Sequence, residues 1–401
     1  MKKQKIIAIL VSALMLGTML SVVSCQSDSG NGTTAGGTIL LGGTLSETGA
    51  QSALDAPAIQ GIQIAVDKVN ADGGINGQTL EFQNIDSKSD AIVATNVTNQ
   101  LIGQGAVAII TSSNYDVGGA SARAAQDGNL VGLSPACSSQ LFGSAILGDK
   151  QFTLASWDTT MASVIATQAC STDGQMSAYV ITDDSTDQTK SFSNSFVTDF
   201  HSLGGTVVLS DDFSQGSVDT ATLIKHYKTL AQPPSCIFLS INMPDLGTVV
   251  KDFRAAGINV PIYGGDSFND PALVGLLGAT LGNGITWVSQ GFASEDAAPG
   301  FNDFNTAYKA KFGQDVTDPT ALSGYDAVMV IAQSLRNAGG TDGASLAKYM
   351  EVTSFQGLTG TISWSDAASG HVPSKTTALV KMESGQSAFV SWIDPGAPSQ
   401  P

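Results

Sequence analysis

From Thr38 onward the chain alternates short apolar runs with longer amphipathic ones, and that alternation leaves few architectures open. The run TILLGG over Thr38–Gly43 predicts a strand ending in glycines. Residues 55–71 then place Ile59, Ile62, Val66 and Val69 on one helical face before Gly73-Gly74 stops the helix. The pattern repeats as a strand at 80–85, a helix at 91–102, a strand at 106–111, a short helix at 117–126 and a strand at 130–133. It restarts after Trp157, with strands at 177–182, 206–209, Cys236–Ser240 and 261–264, and helices at 191–203, 220–230 and 246–256 between them. Strand-helix alternation of this kind implies parallel sheets with helices on both faces. The expectation is α/β: two doubly wound parallel-sheet lobes joined by a multi-crossing hinge.

The last third fixes the connection. A long helical region (301–312, 321–338, 345–350) precedes three strand-like runs at 360–364, 376–382 and 388–392. So few residues cannot build a third domain, so these strands are expected to pair back onto an earlier sheet. The expected division is 38–157 plus 288–358 for one lobe and 158–287 plus 359–394 for the other. A cleft between two such lobes is a place for ligands.

The N-terminus speaks to compartment. Lys2, Lys3 and Lys5 precede an apolar run at 6–23 that ends in Val22-Val23-Ser24-Cys25, the anatomy of a secretory signal. About 18 apolar residues could also just span a bilayer as an uncleaved anchor. Val-Val-Ser-Cys resembles the bacterial lipobox, which implies a signal peptide over 1–24, a diacylated Cys25 and attachment to the cell envelope. Residues 25–37 are rich in Ser, Gly, Thr and Asn and read as a flexible tether.

Charge and cysteine usage exclude several classes. The chain has 35 acidic and 18 basic residues, a net charge of −17; removing three lysines with the signal leaves 15 bases and about −20. So acidic a chain repels nucleic acid. Beyond Cys25 the cysteines are Cys137, Cys170 and Cys236, and the histidines His201, His226 and His371 are too few and too scattered for zinc. In an oxidising compartment, Cys170 at a helix end and Cys236 at a strand start are expected to form a disulfide, leaving Cys137 free. No cofactor signature is present. GxSxG, GxxxxGK[ST], HExxH and GxGxxG are all missing. Gly265-Asp266-Ser267 spells a triplet used by some serine hydrolases, but no histidine follows an Asp at the required spacing. Residues 183–187 lack the central glycine and terminal glutamate of a calcium loop. No enzyme is expected.

Four stretches carry a family likeness: the opening with Leu45-Ser46 and Asn70–Gly77 (NADGGING); Thr111-Ser112-Ser113 with Leu133-Ser134-Pro135-Ala136; Phe253-Arg254-Ala255-Ala256-Gly257 with Ile262-Tyr263-Gly264-Gly265-Asp266; and Gly324-Tyr325-Asp326-Ala327. Together they make the chain resemble the branched-chain amino-acid binding proteins, of the type 1 periplasmic binding fold, across about residues 38–392. The resemblance implies an extracytoplasmic solute-binding lipoprotein serving an ABC-transporter permease, with a small amino-acid-like ligand. The alternatives are a sensing lipoprotein that signals to a membrane receptor, or a binder of an amide or carboxylate.

Carried over residue by residue, Ser113 and Ser138 match groups that grip a carboxylate. Ala136 matches a carbonyl that receives an ammonium, and Asp266 an acid that faces it. The residues themselves agree: Ser113, Asn114 and Tyr115 lie between a strand end and a helix start, where unpaired amides attract an anion. Simple helix capping by Ser113 and Asp116, a turn role for Ser138 and a solvated loop position for Asp266 are the plainer readings. Asp187 and Asn242 stand where the family often carries aromatics, which predicts a more acidic pocket than leucine needs. Trp157 and Tyr115 are the aromatics nearest to stack on a ligand, or else to pack the lobes.

Overall fold

In the computed structural model, which describes residues 36–365, 370–373 and 375–394, the first apolar runs become a five-stranded sheet. The chain passes through β1 (Thr38–Gly43), α1 (Ser52–Ala71), β2 (Thr79–Asn84), α2 (Ala91–Gly103), β3 (Ala108–Ile110), α3 (Tyr115–Asp127), β4 (Val131–Ser134), α4 (Ser144–Leu147) and β5 (Gln151–Thr153). The strands lie in the order β2-β1-β3-β4-β5, all parallel. Period-2 alternation places Ile39 and Leu41 in one core and Leu40 on the opposite face, against Leu101 and Ala125 of α2 and α3.

After a first crossing the chain builds α5 (Asp158–Thr167), β6 (Ser177–Asp183), α6 (Asp187–Ser202), β7 (Thr206–Phe213), α7 (Thr220–Thr229), β8 (Cys236–Ser240), α8 (Asp245–Ala255), β9 (Ile262–Gly264), α9 (Pro271–Leu281) and β10 (Ile285–Ser289). Tyr179 and Ile181 of β6 face α7 and α8, whereas Ala178 and Val180 face α5 and α6. Both faces are covered, as a parallel sheet requires.

The chain then returns to the first lobe as α10 (Phe301–Phe312), α11 (Thr320–Asn337) and α12 (Gly343–Val352), followed by the hairpin β11 (Ser354–Gly357) and β12 (Gly360–Ser363). Helices α1 and α11 touch backbone to backbone. A Cβ on Gly61 would lie 1.8 Å from the Ala321 carbonyl oxygen, and one on Gly324 would lie 2.2 Å from that of Ala58. Glycine at both positions is what lets the two helices approach so closely. Finally β13 (Thr377–Glu383) and β14 (Gln386–Ile393) join the second sheet, whose order is β14-β13-β10-β9-β8-β6-β7. Strand β13 runs antiparallel to both β10 and β14, so this sheet is mixed rather than wholly parallel.

Two expectations need correction. The run at 360–364 does not join the second sheet. It pairs with β11, and Phe355, Ile362 and Trp364 sit in the first lobe's core, where the Trp364 indole donates to the Thr153 carbonyl at 3.0 Å. The third crossing therefore falls beyond Trp364, not at 358/359. Cys170 and Cys236 are free, buried thiols. The Cys170 thiol points at the Leu203 carbonyl (3.5 Å) and the Cys236 thiol at that of Ser177 (3.6 Å), so each is turned into its own hydrogen bond.

The crossings are tied to one another. The Ser156 amide donates to Gln290 Oε1 and Gln290 Nε2 donates to the Ser156 carbonyl, both at 2.9 Å. The buried Lys375 ammonium reaches the Leu154 carbonyl (3.1 Å) and Thr359 Oγ1 (2.9 Å). Burial pulls its pKa down to about 8, and the charge of Asp326 opposes that pull. The signal segment, Cys25 and the tether through residue 35 lie outside the described residues, among which no helix is long and apolar enough to cross a membrane.

Candidate ligand-binding cleft

The loops at the C-terminal ends of β3 and β4 face those of β6, β8 and β9 across a cavity of about 290 Å³. In parallel sheets this is where side chains can converge without interrupting strand pairing. Ser113, Asn114, Tyr115, Ala136 and Ser138 line it from the first lobe, and Asp187, Asn242 and Asp266 from the second. Trp157 is not brought there. It is buried at the N-terminus of α5, beside Gly143. The aromatics on the cleft are Tyr115 and, from α10, Tyr308. Tyr115 accepts a hydrogen bond from Arg123 Nη2 at 3.0 Å, and the Tyr308 hydroxyl donates to Gln60 Oε1.

The anion-attracting amides expected at residues 113–115 are largely taken from within. Asp55, fully buried in α1, accepts the Ser113 amide (2.8 Å), the Ser46 amide (2.8 Å) and the Ser112 hydroxyl (2.7 Å). Burial raises its carboxyl above the ordinary aspartate range, and these donors pull against that rise. The Asn114 amide turns to Ser112 Oγ (3.3 Å) and the Asp116 amide to Asn114 Oδ1 (2.9 Å). The buried Ser113 hydroxyl lies against Asp55 and helps to hold that carboxyl down.

Opposite it stands the acid. Asp266 begins the short 3₁₀ turn after β9, and its Oδ1 accepts from Gln188 Nε2 at 3.0 Å. Burial pushes its carboxyl up to about 6, with the charge of Asp318 adding to the rise. Asp318, between α10 and α11, is likewise pushed to about 6 by burial, and the charge of Asp270 adds to that. At the other side Asp187 accepts the Ser139 hydroxyl across the lobe boundary. Burial and then the charge of Asp187 raise Asp116. Asp158, at the start of α5 and wholly buried, is raised well above its ordinary range by burial, then by Asp187 and Asp266.

Asp270 and Asp318 were not singled out in the sequence. Each precedes a proline that opens a helix, and each accepts an amide of that helix's first turn, Ala272 N and Thr320 N, both at 2.8 Å. The two Asp-Pro steps were the available signal.

Comparison with known proteins fits this geometry. A family model described as "Periplasmic binding protein" matches residues 38–387. Leu/Ile/Val-binding protein homolog 1 of Brucella melitensis is 22% identical over 382 residues, covering 94% of this chain and all of the relative. Among solved structures, the branched-chain amino acid transporter substrate binding protein LivJ from Streptococcus pneumoniae, in complex with isoleucine, superposes with a TM-score of 0.78. It is 24% identical and covers 88% of this chain and 99% of that one. The leucine binding protein LivK from Thermotoga maritima gives 0.79 at 23% identity, with 89% and 99% covered. A solute binding protein from R. palustris in complex with benzoate gives 0.77 at 20%, with 91% and 98% covered. With a family match across nearly the whole described body and a cleft framed by both sheets, this chain belongs to the periplasmic binding proteins.

Proposed function

We propose that the protein captures a small amine-bearing polar solute between its lobes, outside the cytoplasm, and hands it to the permease of an ABC importer. The observation that carries this reading is Asp266, held by Gln188 on the second lobe's side of a cleft that Ser113 and Ala136 line from the first. An acid raised by burial gains most from a cation that replaces lost water. The Ala136 carbonyl, on the same wall as Ser113, is a further acceptor for an ammonium. Relatives that bind leucine or isoleucine support the class of solute, and the two-lobed fold supports capture by closure. We further propose that a diacylated Cys25 holds the protein at the envelope.

A thermal-shift screen of the protein over amino acids, amines, amides and carboxylates tests the reading. A solute at 100 times its dissociation constant adds about 2.7 kcal/mol to the folded state. No stabilisation by any class would end the binding proposal. For the anchor, Cys25→Ala is expected to leave the membrane fraction, and unchanged detergent partitioning would refute lipidation.

A further inference from the structure

Deepening that reading, and resting on it, we infer that Asp55 is a positioning residue for solute binding. Without lining the cleft itself, its carboxylate holds the first lobe's loops in the arrangement that receives the solute. Asp55 sits in the first turn of α1 with none of its surface exposed. Its Oδ1 accepts the Ser113 amide at 2.8 Å, and its Oδ2 accepts the Ser46 amide at 2.8 Å and the Ser112 hydroxyl at 2.7 Å. One carboxylate thus gathers the loop after β1, the start of α1 and the loop after β3. The residues beside these anchors are on the cleft, Leu54 and Pro57 on either side of Asp55, and Asn114 and Tyr115 after Ser113.

The order set at Asp55 is passed on to the next loop. The Ser112 carbonyl accepts the Ser134 hydroxyl at 3.1 Å, and Ser134 Oγ in turn accepts the Cys137 amide at 3.1 Å. Ser134 ends β4, and the loop that follows it brings Ala136 and Ser138 to the cleft. Ser112, Ser113, Ser134 and Cys137 are all buried. Helix α3 closes on the same carbonyl from the other side: a Cβ on Gly118 would lie 2.3 Å from the Ser112 oxygen. The loop after β3 is therefore fixed between α3 and Asp55, and the loop after β4 is fixed to it.

Two plainer roles do not account for Asp55. An acid in the first turn of a helix often caps it, but none of these three bonds goes to an amide of α1. A buried carboxylate can belong to an ion pair, but among the described residues no Lys, Arg or His pairs with Asp55. A buried charge without a counter-ion is a costly way to hold a fold together, and apolar packing of similar volume often does so as well or better. What the carboxylate supplies is two oxygens that both accept. The Ser113 and Ser46 amides can only donate, one to each oxygen. A neutral amide side chain would have to set its NH2 group against one of them.

Hydrogen exchange of the full-length protein in detergent tests the wall with no solute present. Asp55→Asn is expected to speed exchange about tenfold over residues 112–115, the worth of one hydrogen bond to a charged group, and also over residues 134–138, which Asp55 does not touch. Strands β3 and β4 should stay protected. Ser112→Ala keeps the charge and removes one donor, so it should show the same pattern at about threefold, and it decides the matter where Asp55→Asn folds poorly. Titration calorimetry with leucine, lysine, glutamine and butylamine then reads the function. At least one of these amines should bind the natural protein, and Asp55→Asn should weaken it about tenfold per mole of folded protein. A purely structural role would lower the melting temperature and leave both the affinity and the exchange over 134–138 as they are. Either of those staying unchanged in both variants would overturn the inference and leave the solute-binding reading standing. Failure of the natural protein to bind any of the four amines would sink both.

Discussion

Replacing Asp266 by Asn should stabilise the empty protein while crippling its binding, and the two signs together test the site. The substitution keeps an oxygen to accept from Gln188 Nε2 and removes only the charge. Burial raises this carboxyl from 3.8 to about 6, a little over two decades in proton affinity. At about 1.4 kcal/mol per decade, ionisation at pH 7 costs the folded state at most about 3 kcal/mol. Water in the open cleft screens a half-buried group, which leaves roughly 1 kcal/mol. The sign follows from the folded value lying above the ordinary one. The group's stability contribution is fully present below pH 3.8 and is lost as pH rises through about 6. Empty Asp266→Asn should therefore melt roughly 1–2 °C above the natural protein at pH 7 and coincide with it near pH 4. A bound amine, deprived of its counter-charge, should lose about 2–5 kcal/mol of affinity. Scanning fluorimetry from pH 4 to 8, with and without solute, reads both effects. A variant that melts lower at pH 7, or keeps its ligand, would refute the claim that Asp266 is a strained acid waiting for a cation.

Two other tests address the frame. Gly324→Ala must push a methyl group against the Ala58 carbonyl with backbone on both sides, and should cost about 1–3 kcal/mol by overpacking; an unchanged urea midpoint would disprove the tight helix contact. Denatured, unreduced protein should show three reactive thiols, Cys137, Cys170 and Cys236, which react slowly while folded because all are buried and burial pushes Cys236 up to about 12; only one reactive thiol would mean a bridge.

What the sequence disclosed was mostly local. TILLGG and CIFLS are short apolar runs that can only be covered strands, and β1 and β8 followed from them. The NADGGING turn was legible because glycines and an asparagine must supply positive φ there, as Gly73, Gly74, Asn76 and Gly77 do. The cleft's membership was legible wherever a residue directly follows a strand. What failed was long-range. Nothing near Ser113 hints that Asp55 will reach across 58 positions to take its amide. Of the two roles open to Trp157, stacking on a ligand or packing the lobes, its burial at the start of α5 leaves the packing one. The hairpin β11–β12 has strand-like composition whichever sheet it serves. Only the burial of Phe355, Ile362 and Trp364 decides that it belongs to the first lobe.

The interleaving of the lobes bears on how the chain comes into being. Strand β13 pairs with β10 from beyond α10, α11 and α12, and α11 and α12 in turn complete the core begun by β1. A chain emerging N-terminus first therefore cannot finish either lobe before nearly all of it has appeared. Until then β10 presents an unpaired edge and α1 lacks the helix that its glycine was shaped to meet. Such late closure favours slow, non-local assembly. It would keep the polypeptide extended enough to be threaded through a membrane before it folds, and it makes the far side the place where the cleft first exists.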